Sequence, residues 1–308
     1  MPIAHRHAGL AAVVLGTLVV AALVVAGVFV LRDEPTVDPD RATATSAVGE
    51  RVTTDGGTIR ALALGPVLTW DPQRLASRDD MAFAGRVYAR SLTAHAPNVD
   101  PDAQDRLVGD LATDTGTASA DLKTWSFTLR EGILWQDGTA VTCADVAYGI
   151  SRSFASKDLP GGSTDALAVL AIPRQANGTS TYAGPYATGP TAAAGQAAFD
   201  KAVSCVGQKI TFTLSTPLGD FNELVSQPAF GPVKKSVDQG PEGVYEVFSA
   251  GPYMLEKPWV AGQGGTFVRN PHWARSADPV RRAHPDRIEY LEGMDIQAIT
   301  QQVMADTD

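Results

Sequence analysis

The stretch Thr124-Trp-Ser-Phe-Thr-Leu129, continued by Arg130-Glu-Gly132, Ile133-Leu-Trp135 and Gln136-Asp-Gly-Thr-Ala-Val-Thr142, decides how this chain folds. Trp125, Phe127 and Leu129 alternate with Thr124, Ser126 and Thr128, so a period of two puts the apolar set on one face of a half-buried strand. Arg130-Glu-Gly132 turns the chain, Ile133 to Trp135 predicts a short second strand, and Asp137-Gly138 supplies a tight turn. Thr142 then caps a helix, with Asp145 three residues later in a capping-box arrangement. Cys143, Val146, Ala147, Ile150 and Phe154 share one face of that helix.

Strand and helix signals alternate in the same way on either side, which predicts a mixed α/β fold. Gly57-Thr-Ile-Arg-Ala-Leu-Ala-Leu64 reads as a first strand, followed by a loop holding Trp70, Asp71 and Pro72. Met81, Ala84, Val87, Tyr88 and Leu92 recur at helical spacing, with Asp79 or Asp80 placed to cap the first turn. Residues 157–195 are rich in Gly, Pro, Ser, Thr and Ala and read as loops packed on a scaffold. A second alternating strand, Lys209-Ile-Thr-Phe-Thr-Leu214, ends before Pro217 and leads to a short amphipathic stretch at Phe221 to Val225. Gly262, Gly264 and Gly265 lack dinucleotide-binding spacing and mark a hairpin turn.

From Gly9 to Leu31 the chain carries no charge, with His5, Arg6 and His7 before the run and Arg32, Asp33 and Glu34 after it. A helix of this length reaches about 34 Å, enough to cross a hydrocarbon core of about 30 Å. The basic leading end places the rest of the chain outside the cytoplasm. The length of the run, without an A-x-A-like site, favours an uncleaved anchor over a cleaved signal. No cysteine precedes Cys143, so a lipid on an N-terminal cysteine is excluded and tethering falls to the helix itself. Residues 32–57 have the composition of a linker.

The 308 residues, 44% hydrophobic and 19% charged, form a globular composition. The net charge of -9 repels a polyanion, so nucleic acid is not a partner. The basic doublets Lys234-Lys235 and Arg281-Arg282 read as solvated surface. There is no P-loop, G-x-S-x-G, H-E-x-x-H or C-x-x-C, and the histidines of the body, His95, His272 and His284, are isolated. No enzyme chemistry, metal site or cofactor is implied. Cys143 and Cys205 make an even count in an oxidising compartment; they are either bridged, closing a loop of about 63 residues, or buried free thiols.

Four ordered blocks resemble the solute-binding proteins of peptide, opine and nickel ABC importers. Thr69-Trp-Asp-Pro-Gln73 with the helix ending near Tyr88 to Leu92 is similar to that family's "LDP" loop and following helix. Leu107-Val-Gly-Asp-Leu-Ala112 with Trp125 to Thr142 and Ala144-Asp-Val146 is similar to its most specific signature, an alternating strand followed by a D-G-T-P-V-T-A-E-D-V run. Ser249-Ala-Gly-Pro-Tyr253 with Phe267-Val-Arg-Asn-Pro271 and Trp273 forms the third, and Arg287-Ile-Glu-Tyr290 with the helix running to Ala305-Asp-Thr-Asp308 the fourth. Ala250 stands where the family usually has Thr.

The resemblance implies an α/β fold of the periplasmic-binding-protein type II kind, with lobe I and an inserted subdomain present and the second lobe absent. It divides the chain into residues 1–31 (cytoplasmic stub and transmembrane anchor or signal sequence), the linker 32–57 and a solute-binding domain at 58–308. Within that domain lobe I takes about 58–92 and 207–290, the inserted subdomain about 93–206 and the start of the crossover about 291–308. In the subdomain the helix opened by Cys143 and the strand after Cys205 are expected to be neighbours, which favours the Cys143–Cys205 bridge. The implied function is extracytoplasmic capture of an oligopeptide or other small solute for an ABC importer permease; the alternative is a membrane-anchored remnant or accessory module that no longer binds solute. The family's ligand-touching loop falls on Ser77, Arg78, Asp79 and Asp80, where backbone groups meet an extended peptide or merely cap the helix.

Overall fold

Backbone pairing in residues 55–97 and 106–305, which the computed structural model describes, gathers the strands into two four-stranded sheets and a two-stranded ribbon. In chain order the first elements are β1 (Thr58–Leu62), α1 (Arg78–Val87), β2 (Thr93–His95), β3 (Leu107–Gly109), β4 (Thr117–Ala118) and β5 (Thr124–Thr128). Then come α2 (Cys143–Arg152), α3 (Asp165–Val169), α4 (Ala192–Ala202), β6 (Val203–Val206), β7 (Lys209–Thr213) and α5 (Phe221–Leu224). The last are β8 (Tyr253–Leu255), β9 (Gly264–Arg269), β10 (Arg287–Leu291) and α6 (Ile296–Ala305). The apolar run at Gly9 to Leu31 and nearly all of the linker lie outside the described residues; among those described, no helix is long and apolar enough to cross a membrane.

The first sheet has the order β1-β10-β9-β8, with β1 parallel to β10 and the other pairs antiparallel. Its core is aromatic. Trp70 is fully buried and meets Tyr88, Trp259, Phe267 and Tyr290 edge to face, with ring centroids 5.1 to 6.2 Å apart. Such edge contacts set the electropositive rim of one ring on the electronegative face of another. Gly264 is required here: its φ is +107°, and a Cβ would stand 1.8 Å from the Tyr290 carbonyl oxygen.

The second sheet, β4-β5-β7-β6, is antiparallel throughout. The two alternating sequences meet in it: Trp125 stands opposite Phe212 and Phe127 opposite Ile210, so their apolar faces coincide. α2 and α5 cover that face with Val146, Ile150 and Phe221. β7 thus lies inside this sheet, between β5 and the edge strand β6. Cys143 and Cys205 are bonded, with Cα atoms 5.9 Å apart, joining the first residue of α2 to the edge strand β6. They are not free thiols.

Several local expectations change. Ser77 caps α1, its hydroxyl accepting from the Asp80 N–H, while Asp79 and Asp80 sit in the first turn. Ile133 to Trp135 makes an isolated bridge, Leu134–Ala140, around the Asp137-Gly138 turn rather than a full strand, with the Trp135 N–H donating to the Thr139 carbonyl and the Val141 N–H to the Ile133 carbonyl. α3 and the start of α4 lie in the stretch read as loops; α4, Ala192-Ala-Ala-Gly-Gln-Ala-Ala-Phe-Asp-Lys-Ala202, is so rich in alanine that its faces differ little in hydropathy. Arg281 is not solvated surface: it is 5% exposed and held between two carboxylates.

Candidate functional site

The loop that leaves the aromatic core at Trp70 is held along its length. The Trp70 N–H and Thr69 hydroxyl both donate to the Val244 carbonyl, at 2.9 and 2.8 Å. The Asp71 N–H donates to the Thr69 hydroxyl oxygen, and the Asp71 carboxylate accepts from the Gln73 N–H. Arg152, the last residue of α2, then grips the loop from outside. Its two terminal nitrogens donate to the two Asp71 oxygens at 2.8 Å each, one of them also to the Gln73 side-chain oxygen at 2.5 Å. Its Nε donates to the Tyr186 hydroxyl and lies 3.1 Å from an Asp238 oxygen.

Both partners of the Arg152–Asp71 pair are almost fully buried. Burial disfavours the Arg152 charge, but the bond and charge of Asp71 outweigh it and raise the guanidinium above its usual range. Asp238 is also drawn below the usual carboxylate range: burial opposes this, and the Tyr148 and Tyr186 hydroxyls with Arg152 prevail. Gly162 completes the clamp, since a Cβ there would stand 1.9 Å from the Gln73 carbonyl oxygen. Asp71, Arg152 and Asp238, with Tyr88, Trp135 and Phe248, also line a small pocket.

Beyond the clamp the chain enters α1. Ser77 is extended, with φ -72° and ψ 131°, and its hydroxyl satisfies one first-turn amide. A helix leaves its other first-turn amides without intrahelical partners, and here they lie at the exposed residues Arg78 and Asp79. Asp80 is half-buried; burial raises its pKa, assisted by the negative charges of Asp79 and Glu292 and opposed by the bond to Ser77. Glu292, just after β10, is itself buried and accepts from the Val67 N–H at 2.5 Å and from the Gly262 N–H. It therefore ties the loop after β1 to the end of β10. Leu64 and Leu68 in that loop are exposed.

The far end of α1 is fixed by a second buried ion cluster. Arg281 donates to the Gly85 and Ala89 carbonyls at 2.7 and 3.0 Å, capping the helix C-terminus with a cation. It pairs with Asp110 and Asp278, and Arg90 pairs with Asp110. Burial would raise the Asp278 pKa, but the charges of Arg281 and Arg90 and the Trp273 N–H lower it to about 2.

Ser77, Arg78, Asp79 and Asp80 are thus contiguous at one helix entry. Sequence reasoning missed Arg152, Gly162 and Glu292, which hold that entry in place. The Arg152 partner Asp71 is 81 residues distant, so no local pattern announces the pair. Among the described residues no group of His, Cys, Asp and Glu is arranged to hold a metal ion. The clamp's charges are paired with one another, while Ser77, Arg78 and Asp79 beyond it are exposed.

Residues 106–306 match the family described as bacterial extracellular solute-binding proteins, family 5. A 170-residue segment is 31% identical to the periplasmic oligopeptide-binding protein OppA of Salmonella typhimurium, covering 52% of this chain and 28% of that protein. The structure of clavulanic acid biosynthesis oligopeptide binding protein 2 is similar at a TM-score of 0.72 and 31% identity, over 82% of this chain and 43% of that one. The Escherichia coli murein tripeptide binding protein MppA shares the fold at a TM-score of 0.61 and 23% identity, over 83% of this chain and 45% of that one. The chain therefore spans less than half the length of these relatives, and its architecture is that of type II periplasmic binding proteins.

Proposed function

The chain belongs to the bacterial extracellular solute-binding proteins of family 5, and from that membership we propose that it captures peptides or similar small solutes outside the cytoplasm for delivery to an ABC importer permease. The observation that carries this reading is the helix entry at Ser77 to Asp80, exposed at its tip yet fixed by buried ion pairs at both ends of α1. A ligand loop held this way loses little freedom when it binds, so contacts made there are not offset by ordering costs. In this reading the extended backbone at Ser77 and the first-turn amides of Arg78 and Asp79 meet the carbonyls of an extended peptide, as an added strand does, and Asp80 lies at the edge of the contact. The protein binds and releases its solute without turning it over, and the run from Gly9 to Leu31 tethers it to the membrane.

Calorimetric titration with tri- to pentapeptide mixtures tests the capture. Saturable binding is expected, weakened by the double charge reversal Arg78→Glu/Asp79→Lys with the circular dichroism spectrum unchanged. Absence of binding to peptides and to other small solutes would remove the proposal, and unaltered affinity in the variant would move the contact elsewhere. N-terminal sequencing of membrane-extracted protein tests the tether: a start at Met1 or Pro2 supports it, and a start after Ala26 or later overturns it.

A further inference from the structure

The two halves of the Cys143–Cys205 bridge stand in opposite surroundings. Cys143 is 2% exposed and belongs to the apolar core beneath the second sheet. Cys205 is exposed, on β6, the edge strand of that sheet among the described residues. Cys205, and not Cys143, lines an open groove of about 600 Å³ between α2, α4 and β6. Tyr148, Pro185 and Phe199 form apolar parts of its wall, and Asp145, Asp200 and Lys235 its polar parts.

Thiol–disulfide exchange requires the attacking thiolate to reach one particular sulfur. From this asymmetry we propose that Cys205 is a modification site for small external thiols in the folded protein, with Cys143 as the obligatory leaving group. The lone pair of the external thiolate forms a new S–S bond to the Cys205 sulfur. The old bond breaks with its electrons on the Cys143 sulfur, which takes up a proton. A second thiol resolves the mixed disulfide, so two external thiols are oxidised by two electrons and the protein bridge is reduced. Cys143 is the leaving group because its residue is buried in the core, so an external thiolate approaches the bridge from the exposed Cys205 side. Once freed it remains in the core as a small apolar side chain. β6 keeps its place through its pairing with β7, so the fold is not opened by the exchange.

The experiment treats native oxidised protein with 2-mercaptoethanol, traps with acid and N-ethylmaleimide, and maps the adducts by peptide mass spectrometry. The expected result is the thiol adduct on Cys205, with Cys143 alkylated only after denaturant is added. An adduct on Cys143, an even distribution, or exchange no faster than global unfolding measured in parallel would overturn the proposal. Single-cysteine variants give a second readout: the thiol left by Cys143→Ser should react with Ellman's reagent at least a hundredfold faster than the one left by Cys205→Ser, until denaturant equalises them. Equal native reactivity would refute the asymmetry, and if either variant fails to fold the trapping on the unmodified chain decides alone.

Discussion

Replacing Arg152 with Met keeps most of the side-chain volume and removes the charge that holds Asp71. The wild-type pair is bidentate at 2.8 Å and its members are 4% and 2% exposed, so water cannot take over from the missing guanidinium. Removing one member of a buried pair costs about 3 to 5 kcal/mol, because the other charge stays desolvated. Arg152→Met should therefore lower the unfolding free energy by that amount and Tm by about 10 °C in a body of this size. Asp71→Asn added to it should cost much less than it does alone, with a coupling of about 2 kcal/mol, since the charge it removes is already unpaired. Urea unfolding followed by tryptophan fluorescence measures all four corners of the cycle. Peptide titration of Arg152→Met should show weaker binding as the loop at 71–75 loosens. If Arg152→Met lies within about 1 kcal/mol of the parent, or the two substitutions simply add, the buried pair does not hold this loop and the reasoning fails.

Changing both cysteines to serine should destabilise the body by about 4 kcal/mol, the chain-entropy value for a separation of 62 residues, and a shift in the urea midpoint below a quarter of that would refute it. Ser77→Ala should cost about 1 kcal/mol through loss of the cap, as read by thermal unfolding. Asp278 titrates lower in the folded protein than its ordinary 3.8, so the unfolded chain binds more protons in the window between; its contribution is complete above about pH 4 and fades as the pH falls towards 2. That loss amounts to about 2 kcal/mol, and Asp278→Asn should flatten the acid limb of the stability profile; an unchanged limb would contradict the assignment. Gly162→Ala should weaken both stability and peptide binding, because its methyl group must displace the Gln73 carbonyl, and a variant indistinguishable from the parent would show that the clamp has room.

Interactions confined to a few neighbouring residues were legible in the sequence by itself. The alternation in residues 124–129 and 209–214 predicted two strands, and both formed within a residue of the expected ends. The Thr142 and Asp145 spacing predicted a capping box, and both of its bonds are present. These signals survive because side-chain period and cap geometry are set by the local backbone. Where the local contrast was weak, as along the alanine-rich α4, the element was missed. The sequence also marked Ser77 to Asp80 as one contiguous stretch, though it chose the wrong residue as the cap. The Cys143–Cys205 bridge that the sequence favoured is present. Only the tertiary structure decided that Arg281 is buried under α1 and that Arg152 holds Asp71 across 81 residues. The reason is electrostatic as much as geometric: an arginine and an aspartate look like surface residues until folding removes them from water together, and only then does each become indispensable to the other.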